Sequence, residues 1–144
     1  MTRPNRLARV QELRARQLDA AARNLASAKE REAEAGAAAA RARLDAARAT
    51  AARRGLPAEA VAVHSNHDEW AQDRARESQR ALTHMNAARV ASRQAHGKLV
   101  EARASLRALE LLGERRAAEA RRDEERRARR EEDDRSPLSG RRRP

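Results

Sequence analysis

Residues 18–49 read LDAAARNLASAKEREAEAGAAAARARLDAARA. Leu18, Leu25, Glu32, Ala39 and Ala46 recur every seven residues, and three positions after each stand Ala21, Ala28, Ala35, Ala42 and Ala49. Two rows offset in this way are the a and d positions of a coiled-coil seam. A second stretch repeats the pattern, with Met85, Ser92, Leu99 and Leu106 in one row and Ala81, Ala88, Ala95, Ala102 and Leu109 in the other. Folding the chain back on itself pairs residues whose numbers sum to about 120: Leu18 with Ala102, Ala21 with Leu99, Leu25 with Ala95, Ala35 with Met85. Large meets small at each layer, so two helices can approach closely while each leucine is covered, at about 1.5–3 kcal/mol per buried leucine. Glu32 is the one acid in the seam. It either forms a polar layer that sets the register at a cost in stability, or reaches an arginine beside the seam.

Composition agrees with a thin seam and excludes a thick core. The 144 residues include 36 Ala, 13 Leu, 5 Val, 2 Met and 1 Trp, with no Ile, Phe, Tyr or Cys. Too few side chains exceed alanine for a compact enzyme domain, and alanine, leucine, glutamate and arginine are strong helix formers. No apolar run is long enough to span a membrane, and the basic start MTRPNRLARV lacks the apolar stretch of a secretory signal. The absence of cysteine fits a reducing compartment, and the expected localisation is cytoplasmic. The net charge of +11 rests on 31 arginines and 2 lysines, and its excess is +7 over residues 1–55, +1 over 56–113 and +3 over 114–144. Acids are threaded through the basic runs at helical spacing, as in Glu12–Arg16, Asp19–Arg23, Asp123–Arg127, Glu125–Arg129 and Glu131–Arg135.

Breakers are sparse and mark the organisation. Arg53-Arg54-Gly55 followed by Pro57 places cations at the negative end of a helix with glycine beyond it. Ser65-Asn66-His67-Asp68-Glu69 offers an N-cap with acids in the first turn. The expected fold is all-α: a long antiparallel two-helix coiled-coil hairpin over residues 1–135, with helices at about 5–54 and 66–134 and a connector at 55–65 that has room for one turn in Ala58–Val63. At about 1.5 Å per residue the helices would span roughly 75 and 100 Å. The register sets Leu7 opposite Gly113, so residues 114–134 protrude as a charged helix with no apolar side chain larger than alanine. Residues 136–144 are expected to be a short disordered basic tail.

The chemistry-bearing patterns are few. His64, His67 and Asp68 could suggest metal ligands, but a solvated hairpin end supplies neither a third packed ligand nor a second shell, and a polar turn with a cap is favoured. No phosphate loop, nucleophile elbow or zinc-protease motif is present, so neither catalysis, a cofactor nor a small-molecule substrate is expected. Arginine-rich surface attracts phosphate, yet a single aromatic residue leaves almost no base stacking, which disfavours nucleic acid as the main partner. That one aromatic, Trp70, either packs over the turn against Leu56, Val61 or Val63, or stands exposed as a partner anchor.

The two ends carry a resemblance. Arg6-Leu-Ala-Arg-Val-Gln-Glu-Leu-Arg-Ala-Arg-Gln-Leu-Asp-Ala-Ala21, followed by Leu25 and Ala28, resembles the opening helix of the flagellar export protein FliJ family. Ala108-Leu-Glu-Leu-Leu-Gly-Glu-Arg-Arg-Ala-Ala-Glu-Ala-Arg-Arg-Asp-Glu-Glu-Arg-Arg127 is similar to that family's terminal stretch, and the likeness extends over nearly the whole chain, although the basic tail departs from the family's acidic ending. The resemblance implies a rod-like, non-enzymatic component of a type III export apparatus, flagellar or of the injectisome YscO type, peripherally associated with the inner-membrane export machinery and serving motility or secretion. It implies insertion into, and stimulation of, a hexameric export ATPase, with contacts to an export-gate membrane protein and to export chaperones. Transferred to this sequence, Arg6, Arg9, Arg14, Glu114, Arg115, Arg116, Glu119, Arg121 and Arg122 would bind the ATPase ring, and Trp70 would face the gate. The alternative from another class is a basic coiled-coil protein that binds nucleic acid or ribosomes, whose affinity would fall log-linearly with salt.

Overall fold

The computed structural model describes residues 6–57 and 61–139, with side chains described over 6–57 and 63–135. Among the described residues there are two long helices, α1 (Arg6–Arg54) and α2 (Val61–Ser139), packed against each other, and no strand. Contacts divide the chain into two compact units, one formed by Leu18–Glu101 and the other by the stretches before and after it.

In the Leu18–Glu101 unit the buried side chains among the described residues are those of the heptad rows. Leu25, Ala28, Ala35, Ala39 and Ala49 of α1 are buried, as are Ser92 and Leu99 of α2. Leu18, Ala21, Glu32, Ala42, Ala46, Ala81, Met85, Ala88 and Ala95 are half-buried. Among the described residues nothing larger than alanine is completely enclosed, and Ala49 reaches 0% exposure. The seam therefore gains little from apolar area per layer and depends on close approach and on helix propensity. Glu32 reaches across to Arg89, with Arg89 Nε 3.7 Å from its carboxylate, so the acid in the seam is half-buried but partnered. Toward the connector the covered positions continue through His67, Ala71, Arg74 and Ser78, a polar extension that apolar patterning alone does not mark.

The ends of the helices follow partly different chemistry from the sequence expectation. α1 stops at Arg54, where Gly55 N–H donates to the Ala52 carbonyl and Leu56 N–H to that of Arg53, each at 3.2 Å. No described residue has positive φ, so these i→i+3 bonds close the helix in place of a left-handed glycine cap. α2 begins at Val61 rather than 66, which puts the expected cap residues Ser65 and Asn66 inside the helix. The helix-forming run after Pro57 favours the earlier start, and in the tautomer with its proton on Nε2 the His64 ring donates to the Pro57 carbonyl at 2.7 Å. Asp68, expected in a capping turn, instead pairs with Arg53 at 2.8 Å. Ala58–Ala60 of the connector lie outside the described residues.

In the other unit Leu7 and Gln11 of α1 meet α2 near Gly113, as the register expects: a Cβ on Gly113 would stand 3.3 Å from Gln11 Nε2 and 3.5 Å from Leu7 Cδ2. Gln11 Nε2 also donates to the Leu109 carbonyl at 3.2 Å. Ala102, Leu106 and Leu109 are half-buried, and from Glu114 to Arg135 every side chain is exposed. α2 runs on to Ser139, so residues 136–139 of the expected disordered tail are helical. Pro137 removes a single amide donor two residues from the helix end, and water readily solvates the one carbonyl left without it. Residues 140–144 lie outside the described residues.

Candidate functional site

With so thin a core, the chain's charged side chains are on its surface. The nine ring-binding candidates all fall in the unit formed by the chain's outer stretches, and all nine are exposed. Arg14 Nη1 donates to Gln17 Oε1 at 2.8 Å, and Glu114 lies 3.7 Å from Arg107 Nη1, which also pairs with Glu110 at 3.1 Å. Arg116 and Glu114 flank an open groove of about 590 Å³ with Leu7, Gln11, Glu110, Gly113 and Ala117. Arg6, Arg9, Arg115, Arg116, Glu119, Arg121 and Arg122 make no side-chain ion pair or hydrogen bond among the described residues. Their guanidinium and carboxylate groups are free to meet a partner.

The uncovered part of α2 is held by local interactions only. Arg126 bonds back to the Arg122 carbonyl and pairs with Asp123 at 3.1 Å, and Arg135 pairs with Glu131 at 4.0 Å. Of the expected i,i+4 pairs, Glu12–Arg16 and Glu131–Arg135 form, whereas Asp123 takes Arg126 in place of Arg127. Among the described residues Asp19–Arg23 and Glu125–Arg129 form no ion pair. On an exposed helix the third and fourth neighbours are nearly equidistant and either pair is worth only about 0.2–0.5 kcal/mol, so small rotamer preferences decide.

The connector end is organised by polar contacts. Trp70 is 44% exposed, with its ring edge-on to His67 at 5.1 Å between centroids, and Val63 is itself exposed. The tryptophan therefore does not disappear under the turn. Its position beside the seam, one residue before the covered Ala71, explains this. His67 Nδ1 and Arg74 Nε are buried without a hydrogen-bond partner, although Arg74 Nη1 pairs with Glu77 at 2.7 Å. No three histidine, aspartate or glutamate side chains converge on a metal-sized site among the described residues. Farther along the same unit a groove of about 440 Å³ is floored by Ala28, Ala35, Ala88 and Ala91 and edged by Arg31, Glu34 and His84.

Sequence reasoning missed the exposed apolar side chains of the outer unit. Leu111 and Leu112 are 40% and 39% exposed, and Val10 and Leu13 of α1 are exposed as well. The available signal was their heptad position: none falls on the two seam rows. No family model, curated protein or solved structure matches the chain. Among the described residues no helix is long and apolar enough to cross a membrane.

Proposed function

We propose that the chain is a non-enzymatic FliJ- or YscO-type component of a type III protein export apparatus, an antiparallel coiled-coil hairpin whose charged terminal helix enters and stimulates the hexameric export ATPase. On this reading it works in the cytoplasm at the inner-membrane export machinery, with Trp70 turned to the export gate and export chaperones as further partners. The hairpin is supported by the cross-helix pairs Arg53–Asp68, Glu32–Arg89 and Gln11–Leu109, whose numbers add to 120 or 121. The observation that carries the function is the helix beyond Gly113, exposed at every position to Arg135 and alternating in charge. A ring pore surrounds such a helix, so whichever side carries the contact a ring subunit faces it. The test is ATP turnover by the export ATPase of the same organism with and without the chain. Stimulation is expected, and the triple variant R115E/R116E/R122E is expected to lose it with its helicity intact; unchanged stimulation by that variant would remove these residues from the contact.

A further inference from the structure

The exposed segment of α2 is polarised. At 3.6 residues per turn, positions seven apart return to within about 20° of each other, so Arg115, Arg122 and Arg129 form one line along the helix. Projecting the whole stretch 114–135 puts seven of its nine arginines, with four of its nine acids, on a half of the helix whose centre lies about 60° around the axis from that line, so that the line runs along one edge of this half. The opposite half carries the other five acids, Glu114, Glu124, Glu125, Glu131 and Glu132, and only Arg121 and Arg135. Arg115, Arg122 and Arg129 make no ion pair or side-chain hydrogen bond among the described residues, while acids of the opposite half are in part committed, Glu114 to Arg107 and Glu131 to Arg135. The basic half is also where the exposed Leu111 and Leu112 point, one turn before Arg115.

We propose that this half of α2 docks an acidic amphipathic helix of a partner protein, with apolar side chains over Leu111 and Leu112 and carboxylates recurring along Arg115, Arg122 and Arg129. A helix is the matching shape because carboxylates seven residues apart repeat every 10.5 Å or so, the same interval as the arginine line. A nucleic acid matches less well. Its backbone has nothing to seat on two leucines, the only tryptophan lies in the other unit so that no base stacks here, and the acidic half repels a strand that wraps. The proposal rests on the reading above in taking this segment as the partner-facing part of the chain, and it adds which half makes the contact and what chemistry meets it.

The test uses the full chain and three probes: a synthetic acidic amphipathic 21-residue peptide with leucines at one end and glutamates at seven-residue intervals, a single-stranded RNA of the same net charge, and phosphatidylglycerol vesicles. R115E/R122E/R129E is compared with the opposite-half control E124R/E131R, helicity being checked by circular dichroism. The peptide is expected to bind more tightly than the RNA or the vesicles. Its affinity should fall about tenfold or more in the arginine-line variant and less than about twofold in the control. L111A/L112A should weaken the peptide at high salt as well as low. No binding of the peptide, equal losses in both variants, or tighter binding of RNA or vesicles would overturn the proposal. If the wild-type chain stimulates the ATPase and both charge variants lose stimulation equally, the face assignment fails and the export reading stands. If the peptide discriminates the faces and the ATPase is not stimulated, the reverse holds.

Discussion

Gly113, Gly36 and Gly97 are all helical, but only Gly113 has a neighbour within van der Waals reach of an added methyl group. Gly36→Ala and Gly97→Ala place a Cβ in open space, so each should recover most of the helix-propensity penalty, about 0.5–1 kcal/mol, read as a rise in the denaturation midpoint. Gly113→Ala meets Gln11 Nε2 at 3.3 Å, the atom that donates to the Leu109 carbonyl, and should gain less than either or lose stability. Leucine truncations report on the seam itself: Leu25→Ala and Leu99→Ala remove the largest buried apolar groups of the Leu18–Glu101 unit and should cost about 2–3 kcal/mol each, near the low end of core substitutions because the site is close to solvent. Enlarging Ala35 to Leu, at 3% exposure, should cost about 1–3 kcal/mol by forcing the helices apart.

The helices differ in what holds them. Over the seam, α2 is covered at heptad positions; beyond Gly113 it has only propensity and exposed ion pairs, each weak and screened by salt. Ending the chain after Ala117 should leave the unfolding free energy within about 0.5 kcal/mol of the full chain by denaturant titration, and a larger loss would mean the terminal stretch is packed. The covered rows and the contact of Leu7 with Gly113 were legible in the sequence because a seven-residue repeat fixes which face is hidden. The ends were less legible. Ser65 and Asn66 have cap chemistry, but the chain before them also forms helix, and a cap acts only where a helix begins. Arg74 and His67 line the continued seam although nothing apolar announces them, and Trp70 remains exposed because it stands one position off it. The polarisation of residues 114–135 is also present in the sequence, but counting charges hides it, since arginines and acids are equal in number and separate only on the helical projection.

At the scale of the molecule the chain has little apolar interior, no helix long and apolar enough to cross a membrane among the described residues, and a long stretch of helix whose side chains are all open to a partner. The central claim is that this open stretch meets the ring of an export ATPase. The most direct measurement places a photo-crosslinking amino acid at Ala118 or Ala128, exposed positions that leave every charge intact, and identifies the adducts formed in living cells. The account predicts that the export ATPase is the principal adduct at both positions and that the R115E/R116E/R122E background loses it. Adducts formed with ribosomal proteins or RNA, and none with the ATPase, would contradict it.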